Sequence, residues 1–163
     1  TMSDLLLKMP LQYEPLRKNR WLLRFPADLG IQEWWCSSAK RPSIKQEAKA
    51  IPFLNTETYV VGRYTWGEIQ VTLNDPIGPS ASQAVMEWVR LHSESVTGRQ
   101  GYAAGYKRDV ELEMLDPTGV SVSKWILKNA FCTSADFGDL NYNQDDLATI
   151  TITLKYDYAI LAY

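Results

Sequence analysis

Several groups of residues carry the side chains that do chemistry, and each must meet the geometry its chemistry needs. His92, the one histidine of 163 residues, is a candidate general base. No nucleophile or carboxylate stands beside it in a recognisable pattern. Its place at the end of a helical pattern favours contact with terminal carbonyls and the helix dipole instead. Gly98, Gly101 and Gly105 ahead of Lys107 have the wrong spacing for a phosphate loop, and Arg108 stands where Ser or Thr would follow the lysine. Asn141, Asn143 and Asp145 alternate like the start of a calcium loop. Asp146, however, takes the glycine position, and Ile152 that of the closing glutamate. Cys36, Cys132 and His92 cannot complete a four-ligand Cys/His zinc site within one chain. These residues therefore point to no catalytic site, cofactor or metal, and both cysteines read as small core residues of a reduced protein.

Charge is distributed more informatively than it is balanced. The chain holds 17 basic and 19 acidic side chains, a net charge of −2, which provides no global basic field for holding a duplex. Locally, Lys40, Arg41, Lys45 and Lys49 fall within 40–49 with only Glu47 opposing them. Asp136, Asp139, Asp145 and Asp146 fall within 136–146 with no base among them. The two segments are electrically complementary: either two solvated surfaces, or surfaces through which one copy docks on another. A third group, Asp109, Glu111 and Glu113, shares one face of a strand expected over 108–115, at ~7 Å intervals. That stripe is expected to face water, as ordinary surface or as the wall of a passage a polyanion traverses without sticking.

The elements that position these groups are mainly strands. Residues 67–74 place Ile69, Val71 and Leu73 on one face. Residues 148–158 repeat the alternation with Ile150, Ile152, Leu154, Tyr156 and Tyr158. Further strands are expected at 20–25, 32–38, 57–62, 108–115 and 120–129, the last two joined by the Pro117-Thr118-Gly119 turn. One helix is expected at about 80–92. It follows the Asn74-Asp75-Pro76 turn and Pro79, with Ser80 as N-cap and Gln83 completing a capping box. Ala81, Ala84, Val85, Trp88, Leu91 and His92 form its apolar face. Residues 93–107 read as a long loop and 40–54 as an extended one punctuated by Pro42 and Pro52. The length suits one domain, 19–163, behind an amino-terminal arm, 1–18. No signal peptide or apolar membrane span is evident.

The run Tyr64-Thr65-Trp66-Gly67-Glu68-Ile69-Gln70-Val71-Thr72-Leu73-Asn74-Asp75, then a helix carrying Trp88, resembles the tail tube protein of contractile-tailed bacteriophages. Asn19-Arg20-Trp21-Leu22, the strand ending at Cys36, Ile51-Pro52-Phe53 before Tyr59-Val60-Val61-Gly62, and the closing 150–158 strand follow in that family's order. The resemblance implies a β-barrel or sandwich of antiparallel strands with one flanking helix. It also implies subunits joined edge to edge into hexameric rings, with the rings stacked into a tube and no catalysis. The implied partners are the chain itself, a tail sheath protein, and baseplate and tail-terminator proteins. DNA is cargo in the lumen, there is no membrane insertion, and the place is the virion, assembled in the host cytoplasm. On this reading Lys40, Arg41, Lys45 and Lys49 meet Asp136, Asp139, Asp145 and Asp146 between subunits or rings, and Asp109, Glu111 and Glu113 line the lumen. The arm orders on stacking, because Leu5, Leu6, Leu7, Leu11 and Leu16 have no home in a lone domain. Alternatives are a single-ring baseplate or tail-end initiator, the tube protein of a bacterial contractile injection system, and a carbohydrate-binding β-sandwich using Trp34, Trp35 or Trp66.

Overall fold

Period-two alternation in the sequence becomes two antiparallel sheets that share one strand. A computed structural model describes residues 12–78, 80–93 and 97–163. Leu5, Leu6, Leu7 and Leu11 of the arm, and Pro79 before the helix, lie outside the described residues. The strands are β1 (Trp21–Arg24), β2 (Cys36–Ala39), β3 (Ile44–Phe53), β4 (Thr56–Trp66), β5 (Ile69–Asn74), β6 (Arg108–Leu115), β7 (Ser121–Asp136), β8 (Thr149–Lys155) and β9 (Tyr158–Leu161). The main sheet path runs β1-β6-β7-β8-β5-β2, with β9 also on β7, while β3 and β4 form a separate two-stranded hairpin.

The strand β7 belongs to both halves of this path. Its first part pairs with β9 up to Lys128 opposite Tyr158 and with β6 as far as Ala130 opposite Arg108, and its second part pairs with β8 from Phe131 opposite Lys155. Between them Asn129 adopts φ 57°, a left-handed conformation that asparagine tolerates better than most residues. Its amide donates to Asp109 Oδ1 at 3.2 Å and its side chain Nδ2 donates to Asp157 Oδ2 at 2.9 Å. The Asp157 amide returns a bond to Lys128 O at 3.0 Å. One network therefore holds the bend of β7, the start of β6 and the break between β8 and β9.

The core lies between the inward faces: Ile69, Val71 and Leu73 of β5, Ile150, Ile152 and Leu154 of β8, with Val110, Leu112, Leu127 and Cys132. Each large aliphatic so buried contributes roughly 1.5–3 kcal/mol. Helix α1 (Ala81–His92) covers it with Ala81, Ala84, Val85 and Trp88. Phe25 meets the Trp88 ring edge-on at 5.9 Å, and Trp88 Nε1 donates to Tyr106 O at 2.9 Å. The expected cap forms, Ser80 Oγ accepting from the Gln83 amide at 3.4 Å. A second anchor was not evident from the cap pattern. Asp75 Oδ1 accepts from the Ala81 amide at 3.1 Å and Asp75 Oδ2 from Ser82 Oγ at 2.6 Å, placing a carboxylate on the positive end of the helix.

Some expectations need correction. The 40–54 segment is mostly strand β3. The 93–107 segment includes the short helix α2 (Ala103–Tyr106), and β2 begins only at Cys36, after a 3-10 turn over Glu33–Trp35. The 148–158 strand breaks before β9, and the strand expected to end at 129 continues past Asn129 to Asp136. On α1, Leu91 stands 43% exposed, outside the apolar face assigned to it.

The bend at Asn129 supplies a direct test. Asn129→Val forces a β-branched residue into the left-handed region and is expected to lower unfolding free energy by about 1–3 kcal/mol. Asn129→Gly loses the bond to Asp157 but adopts the backbone freely, and is expected to lose less. Chemical denaturation at unchanged slope measures both.

Candidate assembly surfaces

The β3–β4 hairpin is the largest feature whose side chains find no core. Every residue from Ile44 to Val61 is exposed. A ten-residue strand reaches about 33 Å, and a two-stranded hairpin of this kind is at best marginally stable alone in water. Beyond the irregularity between Gln46 and Ala48, register puts Lys49, Ile51 and Phe53 on one face with Val60, while Ala48 and Ala50 share the other with Val61 and Tyr59. Both faces therefore carry exposed apolar side chains, the first mixed with Thr56 and Thr58 and the second with Glu57. At the tip Leu54 is 90% exposed and has φ 55°, an unusual backbone state for a branched aliphatic residue. The root is fixed by the Gly67 amide donating to Ser43 O at 2.9 Å and by Trp66 lying 6.2 Å from the Tyr156 ring.

Charge separates along the sheet as well as along the chain. Ser38 of β2 lies in one row with Thr72, Thr151 and Asp136. From that row β2 runs on toward Lys40, Arg41 and the hairpin, carrying Lys45 and Lys49. In the opposite direction β7 runs on past Asp136 into the irregular segment 137–148, which carries Asp139, Asp145 and Asp146. The four bases and four carboxylates are thus not brought together within one chain. Leu140, Tyr142 and Leu147 stand 93%, 110% and 76% exposed beside the aspartates. The segment is shaped by turns: the Asp136 carboxylate accepts from the Gly138 amide at 2.9 Å, and the Asn141 side chain oxygen accepts from the Asn143 amide at 2.9 Å.

The acidic stripe on β6 is not the open carboxylate row expected of it. Lys128 Nζ lies 3.1 Å from Asp109, Lys124 Nζ 3.1 Å from Glu111, and Arg24 Nη1 3.5 Å from Glu113. Glu113 is buried, its side chain 7% exposed, so it does not face water. The strands beside β6 place bases opposite the acids, and cross-strand pairing converts the stripe into a ladder of alternating charge. Asp109 is partly desolvated, which raises its pKa, but the Asn129 amide and Lys128 outweigh this and hold it below the usual carboxylate range.

Other candidates are absorbed by packing. The His92 ring meets Tyr106 at 5.2 Å and Phe131 at 6.3 Å edge-on, its Nδ1 lies 3.1 Å from Ser93 Oγ, and its Nε2 is buried. It stands in the last turn of α1, as expected, and its ring belongs to an aromatic cluster. Burial, helped by the charge of Glu33, pushes the Cys36 thiol up to about 12, and burial pushes Cys132 to about 11. Neither is a thiolate at neutral pH. Cys132 is fully core, Cys36 only half-buried against it. Trp35 is buried and Trp66 half-buried, leaving Trp34 as the exposed tryptophan of the three proposed as a sugar platform.

Residues 64–160 match the family described as T4-like virus tail tube protein gp19. The chain belongs to this family. No curated protein matches its sequence. Among solved structures, similarity extends to the anti-feeding prophage tube terminating cap at 19% identity and TM-score 0.73, covering 94% of this chain and 93% of that one. The sheath-tube complex of an extracellular contractile injection system (PVC) follows at 18% identity and TM-score 0.72, covering 93% of each chain. Hcp1 from Flavobacterium johnsoniae is similar at 11% identity and TM-score 0.54, covering 88% and 94%. At such identities these likenesses establish the fold. Within the tail tube family match fall the last three residues of β4, the two strands of the β5–β8 core and the acidic segment. The basic residues 40–49, all of β3 and most of β4 lie before it.

Because Asp109 is held low in the folded state, its contribution is present above the ordinary carboxylate value of about 3.9 and is lost as pH falls through the lower folded value. Asp109→Asn is therefore expected to be less stable than the parent at neutral pH. The difference should close in acid. Thermal melts of both proteins across pH 2–7 (roughly the range over which carboxylates titrate) check the sign.

Proposed function

We propose that copies of this chain self-assemble into hexameric rings that stack into the inner tube of a contractile tail, a conduit for DNA delivered into a host. The tube family match supports a structural role of this kind. The observation that carries it further is the β3–β4 hairpin, which exposes apolar side chains on both faces outside the core. Such a surface favours association. Among the described residues, β1, β2 and β9 each have one edge without a partner strand; such edges offer further sites for joining subunits, and a strand edge that is a hazard in a monomer is closed by ring formation. The same reading takes 1–18 as an arm and 19–163 as the tube domain. A sheath protein surrounds the tube, and baseplate and terminator proteins bound it. The assembled particle is the virion, built in the host cytoplasm. The face carrying Asp109 and Glu111 is proposed to line the lumen, with Glu113, buried in the single chain, beneath that surface. Its paired charges would offer DNA a polar wall without a net field of either sign.

A second reading has its own support. The anti-feeding prophage cap and the PVC sheath/tube terminator are similar to this chain at TM-scores of 0.73 and 0.72. A single-ring terminator, or a tube protein of a bacterial contractile injection system, uses the same fold. Electron microscopy of concentrated purified protein separates the readings. Stacked rings are expected for the tube, isolated rings favour a terminator, and a persistent monomer overturns both. Replacing 45–65 by a short turn is expected to leave the circular dichroism of the core intact while abolishing stacking. Rings that stack normally without the hairpin would remove it from the interface.

A further inference from the structure

We propose that the acidic segment between β7 and β8 of one copy seats in the cavity between β1 and β2 of a second copy. The proposal rests on the reading of the chain as a self-assembling tube subunit and names one contact of that assembly. The cavity, 340 Å³, opens where the sheet path ends at β1 on one side and β2 on the other. Trp21 and Met114 contribute to its apolar floor, and Arg17, Lys18, Lys40 and Arg41 to its rim. No acid lines it, and among the described residues none of these four bases is held in an ion pair. An occupant that satisfies both parts must be acidic and apolar at once. A nucleic acid backbone would meet the rim but leave the floor uncovered.

The chain itself carries such a segment. Asp139, Asp145 and Asp146 alternate with Leu140, Tyr142 and Leu147, all exposed, and no base occurs from 136 to 146. Its own copy cannot present it to the cavity. The segment leaves β7, which is separated from β2 by β8 and β5, about 14 Å across the sheet, and it departs in the direction away from Lys40. A second copy, set head to tail, can. The contact is heterologous, joining two different patches, and so propagates from copy to copy as a ring or stack requires. Opposite charges bring the copies together and set the register, while burial of Leu140 or Tyr142 over Trp21 contributes affinity.

Charge exchange tests this. A rim variant, Lys40→Glu with Arg41→Glu, and a segment variant, Asp145→Lys with Asp146→Lys, each face like charge with like in self-association. Each is expected to raise the concentration needed for assembly at low salt by at least about tenfold. An equimolar mixture puts acidic rims against basic segments and basic rims against acidic ones, and is expected to restore assembly. Light scattering and electron microscopy read the outcome, circular dichroism verifies folding, and Lys40→Gln with Arg41→Gln replaces the rim variant should the reversal not fold. Variants that assemble alone like the parent overturn the contact while leaving the tube reading intact. So do folded variants that fail both alone and mixed. A parent protein that itself stays monomeric overturns the tube reading, and the contact with it.

Discussion

One strand serving two sheets is the constraint on which the rest of this molecule depends. The 16 residues of β7 pair with β9 up to Lys128, with β6 up to Ala130 and with β8 from Phe131, and a straight strand could not serve both sheets. The left-handed backbone at Asn129 redirects it, and Asp109 and Asp157 hold the bend from either side. Because β9 follows β8 through Asp157, the same network also fixes where the last strand returns. The inward faces of β5, β6 and β8 then close over a core that α1 caps through Trp88. Positions at the two open ends of the path, β1 and β2, are consequences of that closure.

The molecule is closely packed inside and unfinished outside. Its core is dense with branched aliphatics, and its helix is capped by a serine and a carboxylate. Yet a hairpin of two long strands stands clear with apolar side chains on both faces, and among the described residues strand edges remain free. For a lone soluble domain these features are hazards of aggregation. For a subunit of a tube they are surfaces waiting for a copy. The tail tube family match and the exposed hairpin are independent observations that lead to the same reading. The division of basic and acidic residues between opposite ends of the sheet gives that association a polarity.

Much of the fold was legible in the sequence where a local pattern is also a tertiary one. The alternation of Ile69, Val71 and Leu73, and of Ile150, Ile152 and Leu154, follows from burial of one sheet face. The Ser80 and Gln83 cap follows from amides that need acceptors. Four kinds of feature were hidden. The hairpin lacks a buried face, so 40–54 had no periodic signal and read as loop. The bend at Asn129 interrupts no hydrophobic pattern strongly enough to show. Glu113 looked like solvent-facing charge because its partners, Arg24 and Lys124, come from neighbouring strands. His92 ended in an aromatic cluster because Tyr106 and Phe131 arrive from elsewhere in the chain.

By itself the sequence determined the strand-rich architecture, the single main helix, the segregation of charge and the tail tube resemblance, since each is written in the order and spacing of nearby residues. Only the tertiary structure decided how those charges stand. It paired the β6 acids with bases and, among the described residues, left Lys40, Arg41 and the 136–146 aspartates without ion pairs at opposite ends. The physical reason is that an electrostatic interaction depends on distance through space and on burial, both set by strand register and sheet order, which no local spacing encodes.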